Sequence, residues 1–135
     1  RALIAETGIP GMDIVQFSDG DVREGYEPKP GTVTFTGTHD NQTLLGFCQS
    51  RFGLEGDEAA QMADRIATSV LGSENDVAIM PLQDVLGLDD AARMNVPGVA
   101  EGNWSWQAVW EDVVAATGRL TQMAQASGRF REASA

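Results

Sequence analysis

A chain of 135 residues is long enough for one domain with a real core, but too short for a complete eight-stranded α/β barrel. Its 9 basic against 20 acidic side chains leave a net charge of −11, which argues against nucleic acid or an anionic membrane surface as partner. One cysteine cannot close an internal disulfide, no apolar run approaches the roughly 20 residues of a membrane span, and no basic-then-apolar leader is present, so the expected setting is a reducing cytoplasm.

Arg1–Glu6 reads as the back half of a helix without a start signal, closed by Gly8 with Pro10 just beyond. Such an opening leads us to expect one portion of a larger enzyme. Met12–Phe17 follows as a short strand, ended by Ser18-Asp19-Gly20-Asp21. Residues 18–31, rich in Gly, Pro, Asp and Glu, form a surface loop. The second strand is Val33–Thr36, whose alternating β-branched and aromatic residues mark a buried strand.

That strand runs into Gly37-Thr38-His39-Asp40-Asn41, a small-residue turn carrying the only histidine of the chain. Asn41 or Thr43 can cap a helix reaching about Phe52, with Cys48 on its apolar side as a buried small hydrophobe. Asp57 opens a better helix, with Ala59, Met62 or Ala63, Ile66 and Val70 on one face and Gly72 at its end. Asp76–Leu82 reads as the third strand, with Pro81 at its exit. Short helical turns over Gln83–Leu88 and Asp89–Asn95 lead into a Gly- and Trp-rich loop, Pro97–Trp106. The last helix spans Val113–Ala126 with Ala116, Leu120, Met123 and Ala124 inward, and the tail beyond Gly128 frays. Three strands separated by connections this long call for parallel pairing, hence an α/β fold.

Chemistry in strand–loop–helix proteins collects where a parallel strand ends. His39 and Asp40 occupy such a place, and the pair reads evenly as a capping aspartate beside a surface histidine or as the edge of an active site. With neither a cysteine nor a second histidine beside them, no metal and no cofactor is expected. One aspartate alone cannot run glycoside or acyl chemistry, but it can orient a hydroxyl or stabilise developing positive charge. Trp104 and Trp106 can stack on sugar faces or anchor their loop by packing. Asn95 and Pro97 offer an amide and a kink on the same loop, and Asp84 is as readily a helix cap as a ligand.

Taken in order, four motifs covering nearly the whole chain resemble the C-terminal part of the amylomaltases, the 4-α-glucanotransferases of glycoside hydrolase family 77. They are Ile9-Pro10-Gly11-Met12 with Ile14-Val15-Gln16-Phe17; Thr36-Gly37-Thr38-His39-Asp40-Asn41 with Leu45-Gly46; Ala78–Leu88; and Ala92-Arg93-Met94-Asn95, Pro97-Gly98 and Gly102–Trp106. The resemblance implies the last three βα units, strands six to eight, of a (β/α)8 barrel, with the chain a single C-terminal fragment of the catalytic barrel.

It further implies that Asp40 binds donor-sugar hydroxyls and stabilises the transition state, that His39 contacts the same sugar, and that Asn41, Asn95, Pro97 and Trp104 belong to the substrate-binding surface. The nucleophile and the acid/base of such an enzyme would lie on strands four and five, which precede this chain. Ile4-Ala5-Glu6 resembles the acid/base signature, but Glu6 stands too close to the next strand to serve. Val99 sits where a threonine is common and Gln107 where an arginine is common, which bears on fine acceptor contacts.

The implied partners are maltooligosaccharides or α-1,4-glucans and the missing N-terminal portion of the barrel. Open strand edges also invite a homo-oligomer. The fragment alone is expected to be inactive. The competing reading is a non-catalytic carbohydrate-binding or interaction module derived from the same barrel.

Overall fold

The computed structural model describes residues 2–131. Helix α1 (Ala2–Thr7) carries Glu6 on solvent and leads through Gly8 into β1 (Gly11–Ile14). β1 is shorter than expected, because Val15–Phe17 coil into a 3-10 turn instead of extending the strand. Residues 18–31 contain no helix or strand. β2 (Thr32–Phe35), α2 (Leu44–Phe52) and α3 (Gly56–Leu71) follow. β3 shrinks to Ala78–Ile79, and then come α4 (Leu82–Leu86), a 3-10 turn at Asp90–Ala92 and α5 (Trp110–Ala126).

The strands form one parallel sheet in the order β1-β2-β3. Met12 lies opposite Val33, Ile14 opposite Phe35, and Phe35 opposite Ile79. Strand alternation sends these residues to one face and Asp13, Thr34 and Thr36 to the other. The polar set faces the helices and is buried, whereas Met12 keeps 63% and Ile79 42% of its surface exposed. The apolar alternation that marked Val33–Thr36 as buried therefore lies on the uncovered face, and the threonines are the residues under the helices.

A polar layer under helices is stable only when its groups are paired. Asn75 Nδ2 donates to Thr34 Oγ1, Thr32 Oγ1 and the Lys29 carbonyl at 2.9–3.1 Å, while its Oδ1 accepts from Gly31 N at 3.0 Å. Asp13 accepts from the Lys29 amide at 2.7 Å, pinning the 18–31 loop to β1. Burial pushes the Asp13 carboxyl up, but the Lys29 amide, the Tyr26 hydroxyl and the Lys29 ammonium outweigh it and hold it below the ordinary value. Among the described residues no buried side-chain nitrogen or oxygen lacks a partner.

The apolar core lies between the helices and the sheet. Leu44, Phe47 and Cys48 of α2 meet Met62, Ile66, Ala67 and Val70 of α3, with Val15 and Val22 beneath. The spacing of Ala59, Met62, Ile66 and Val70 is the helical stripe read from the sequence, and Asp57 and Glu58 suit the positive end of α3. Thr43, not Asn41, caps α2: its Oγ1 accepts from Gly46 N at 3.1 Å. Gly53 closes the helix in the left-handed region at φ 65°.

The C-terminal end departs most from expectation. α5 starts at Trp110, ahead of Val113; Ala116 is buried and Met123 packs on the core, but Leu120 is exposed. Beyond Gly128 the chain does not fray at once. The Arg129 guanidinium donates to the carbonyls of Leu71, Ser73 and Asn75, closing the C-terminal end of α3. The rest of the expected tail, 132–135, lies outside the described residues.

Candidate active site

The loops leaving β2 and β3 meet at the C-terminal end of the sheet; each is closed by local turn bonds, and the bonds between them join residues far apart in sequence. In the first loop Asn41 Oδ1 accepts from Thr38 N at 3.0 Å and from Thr38 Oγ1 at 2.7 Å, closing Thr38–Asn41 on itself. Asn41 is thereby turned inward and buried, while His39 and Asp40 are left on the outer rim with side chains 58% and 49% exposed.

Two carboxylates from beyond β3 hold the base of this turn. Asp84 accepts from Leu44 N at 2.7 Å and from Thr36 Oγ1 at 2.5 Å. Burial pushes its carboxyl above the ordinary value, and the Asp90 charge adds to this, against the two hydrogen bonds. Asp90 accepts from Thr43 N at 2.9 Å and from Gln42 Nε2 at 2.6 Å. Both occupy the electropositive start of α2. Asp84 lies inside α4, whose N-cap is Pro81, so it does not cap its own helix but accepts from the first amide of α2.

The second loop folds over the first. Asn103 staples it: its Oδ1 accepts from Val96 N at 2.9 Å and its Nδ2 donates to the Val99 carbonyl at 2.8 Å. Trp104 N donates to the Met94 carbonyl at 2.7 Å with Trp104 at φ 60°. Trp104 is the one non-glycine residue in the left-handed region among those described, a strained choice for a bulky side chain. The indole stands beside His39, with ring centroids 5.2 Å apart and planes tilted by 39°. Trp104 remains 60% exposed.

Asn95 completes the junction. Its Nδ2 donates to Asp40 Oδ1 at 2.6 Å and its amide to the His39 carbonyl at 3.1 Å. His39 Nε2 stands 3.4 Å from the same Asp40 oxygen, an ion pair whenever the imidazole is protonated. An open cleft of about 630 Å³ adjoins Asp40, walled by Pro97, Arg93, Gln16 and Phe17.

Of the six site residues read from the sequence, His39, Asp40, Asn95 and Trp104 thus form one exposed ledge, Pro97 borders the adjoining cleft, and Asn41 lies beneath. Glu6 belongs to α1, ahead of β1. Trp106 is half-buried and Trp110 stands exposed on α5, so neither shares the Trp104–His39 contact. Among the described residues no three His, Cys, Asp or Glu side chains group closely enough to hold a metal ion.

Asp90 carries no readable signal in the sequence, and Arg93 enters it only within the motif Ala92-Arg93-Met94-Asn95, with no role of its own. Asp90 and Arg93 are single charged residues in a loop, and their partners lie some fifty positions away. The placement of Asp89, Asp90 and Arg93 around Ala92 gives no spacing that separates them from solvated surface charge.

The arrangement offers one carboxylate with a neutral amide donor beside it, an imidazole, and an aromatic face, all open to solvent. Such a set can accept hydroxyl hydrogen bonds and stack against an apolar ring face.

The family profile described as 4-alpha-glucanotransferase matches residues 1–111. A 4-alpha-glucanotransferase of Synechocystis is 37% identical over 79% of this chain and 24% of its own length. One from Streptococcus pneumoniae is 35% identical over 75% of this chain and 23% of its own length. The Thermus thermophilus relative is 32% identical over 96% of this chain and 30% of its own length. The chain thus spans between a quarter and a third of these relatives, or slightly less. An amylomaltase from Streptococcus agalactiae, solved in complex with acarbose, superposes with a TM-score of 0.74 at 23% identity, over 96% of this chain and 29% of that one.

Proposed function

This chain belongs to the 4-alpha-glucanotransferase family, and on that premise we propose that it supplies strands six to eight of a (β/α)8 barrel and one wall of its glucan-binding active site. The observation that carries this reading is the ledge itself. Asp40, His39, Asn95 and Trp104 converge at the C-terminal end of parallel strands, where barrel enzymes keep their chemistry. The uncovered apolar face of Met12, Val33, Phe35 and Ile79 supports it, because barrel interiors are filled by such side chains from neighbouring strands.

In the complete enzyme an α-1,4-glucan is cleaved with retention, and the glucan segment held as a covalent glucosyl-enzyme intermediate passes to the 4-hydroxyl of an acceptor sugar. Asp40 neither attacks nor transfers a proton. Its carboxylate accepts hydroxyl hydrogen bonds from the reacting ring and favours the flattened, positively charged transition state. His39 contacts the same sugar, Trp104 stacks beside it, and Asn95 and Pro97 border the acceptor. Asn41 serves from below, by locking the turn that presents Asp40.

Retention requires a nucleophile and an acid/base about 5 Å apart. Asp40 stands alone on the ledge, so the isolated chain is inactive and its natural complement is the remainder of the barrel, held along the open edges of β1 and β3. The free, buried Cys48 suits a cytoplasmic setting.

The experiment is an assay of the purified chain with maltotriose, following glucose release. No glucose is expected; release by the chain alone would overturn the reading. Calorimetric titration with maltoheptaose separates the alternative: an affinity in the micromolar range would mark an autonomous binding module instead of one wall of a site.

A further inference from the structure

Asp40 and Asn95 sit on two loops without helix or strand, yet their side chains meet at 2.6 Å, and something must hold that register. We propose that Arg93 is the positioning residue that does so. The inference deepens the reading of Asp40 as the sugar-facing carboxylate.

Arg93 follows the 3-10 turn at Asp90–Ala92 and is half-buried. Its Nη2 donates to the Asp40 carbonyl at 2.7 Å, and its Nε donates to the Asn95 carbonyl at 2.9 Å. One planar fork therefore grips the main chain of both loops at the two residues whose side chains pair. The Asn95 amide, donating to the His39 carbonyl at 3.1 Å, closes the ring of contacts.

Among the described residues Arg93 makes no ion pair, so its charge is spent on carbonyl oxygens. Hydrogen bonds from an ionised donor are the stronger class, and the rigid guanidinium loses little freedom in making two at once. A lysine ammonium has the charge but not the fork. The loop that carries Trp104 hangs from the same segment through the Met94 carbonyl, so the indole–imidazole contact depends on the clamp as well.

The solitary histidine makes this measurable in the chain as it stands. The His39 ring protons give the only imidazole signals in a proton spectrum, and Trp104 at 5.2 Å displaces them through its ring current. Trp104→Ala sets the full loss of that displacement. Arg93→Lys and Arg93→Ala are expected to lose at least half of it, and the Asn95 and Trp104 amides to exchange with solvent about tenfold faster or more. Ile66 and Val70 in the core keep their exchange rates in either variant, which separates a released ledge from an unfolded chain.

Unmoved histidine signals and unchanged exchange at Asn95 and Trp104 in Arg93→Lys would overturn the clamp. So would a variant in which the core exchanges as fast as the ledge. None of these outcomes depends on what Asp40 binds. That question is answered separately by Asp40→Asn titrated with maltoheptaose, where unaltered affinity would refute the sugar-facing role and leave the clamp untouched.

Discussion

Glycine inside an exposed helix is usually replaced by alanine with a gain of about 1 kcal/mol. Gly46, in the first turn of α2, is expected to behave in the opposite sense. A Cβ there would overlap all three atoms of the Asp90 carboxyl group. The side chain can swing away, but it then abandons Thr43 N and Gln42 Nε2, which it holds at 2.9 and 2.6 Å. Two hydrogen bonds to a half-buried carboxylate are together worth roughly 3 kcal/mol, so Gly46→Ala destabilises by about 2 kcal/mol net. For a domain of this size that is a fall in Tm of about 8 °C.

The assay is a double-mutant cycle by thermal unfolding. In an Asp90→Ala background the obstacle is gone, and Gly46→Ala should raise Tm by about 4 °C, the ordinary helix gain. A neutral or stabilising Gly46→Ala in the original chain would refute the close-approach argument. So would an equal penalty in both backgrounds.

Three further outcomes follow from buried groups. Asp84 has its folded pKa raised by burial, so the folded state binds its proton more readily than the unfolded chain does. Its contribution to stability is therefore present in acid and is lost as pH rises above 3.8 through the folded value; the Tm of the original chain relative to Asp84→Asn should fall over that span, and a constant difference would contradict the assignment. Burial, with the Asp84 charge in support, pushes the Cys48 thiol up to about 12, so it should resist an aromatic disulfide reagent at pH near 8 until the chain is unfolded in denaturant. Asn75→Ala removes a side chain that joins Gly31, Lys29, Thr32 and Thr34, and should cost roughly 3 kcal/mol in a urea titration, against little for a surface asparagine.

Parallel pairing and the helical stripe of α3 were legible because each rests on a local rule: connection length for the first, spacing of apolar residues for the second. The residues Thr38–Asn41 were legible as a turn for the same reason. The buried face of β2 was not. Thr34 and Thr36 are as β-compatible as Val33 and Phe35, and which set is covered depends on Asn75 and Asp84, dozens of residues away. The start of α5 at Trp110 and the exposure of Leu120 reflect where α5 meets α3 and α4, which no window of its own sequence contains.

Within the candidate site, His39 and Asp40 stood out by their place after a strand, and Trp104 by its chemistry. Asn41 read as a helix cap or, through the resemblance, as a substrate contact. The turn it closes consumes its carboxamide oxygen, and only the folded hydrogen bonds reveal that. Arg93 stood in the motif around Asn95, but its role was hidden for a related reason: an arginine acquires such a role only through carbonyls that the fold brings to it.

Whether the ledge is a sugar-binding wall is decided by one titration. The chain, labelled with nitrogen-15, is titrated with maltoheptaose while amide shifts are followed. Movement is expected to centre on His39, Asp40, Asn95 and Trp104, with a Kd on the order of millimolar, as suits one wall of a divided site. Amides that stay fixed at the ledge up to tens of millimolar, or that move instead along α3 and α5, would contradict it.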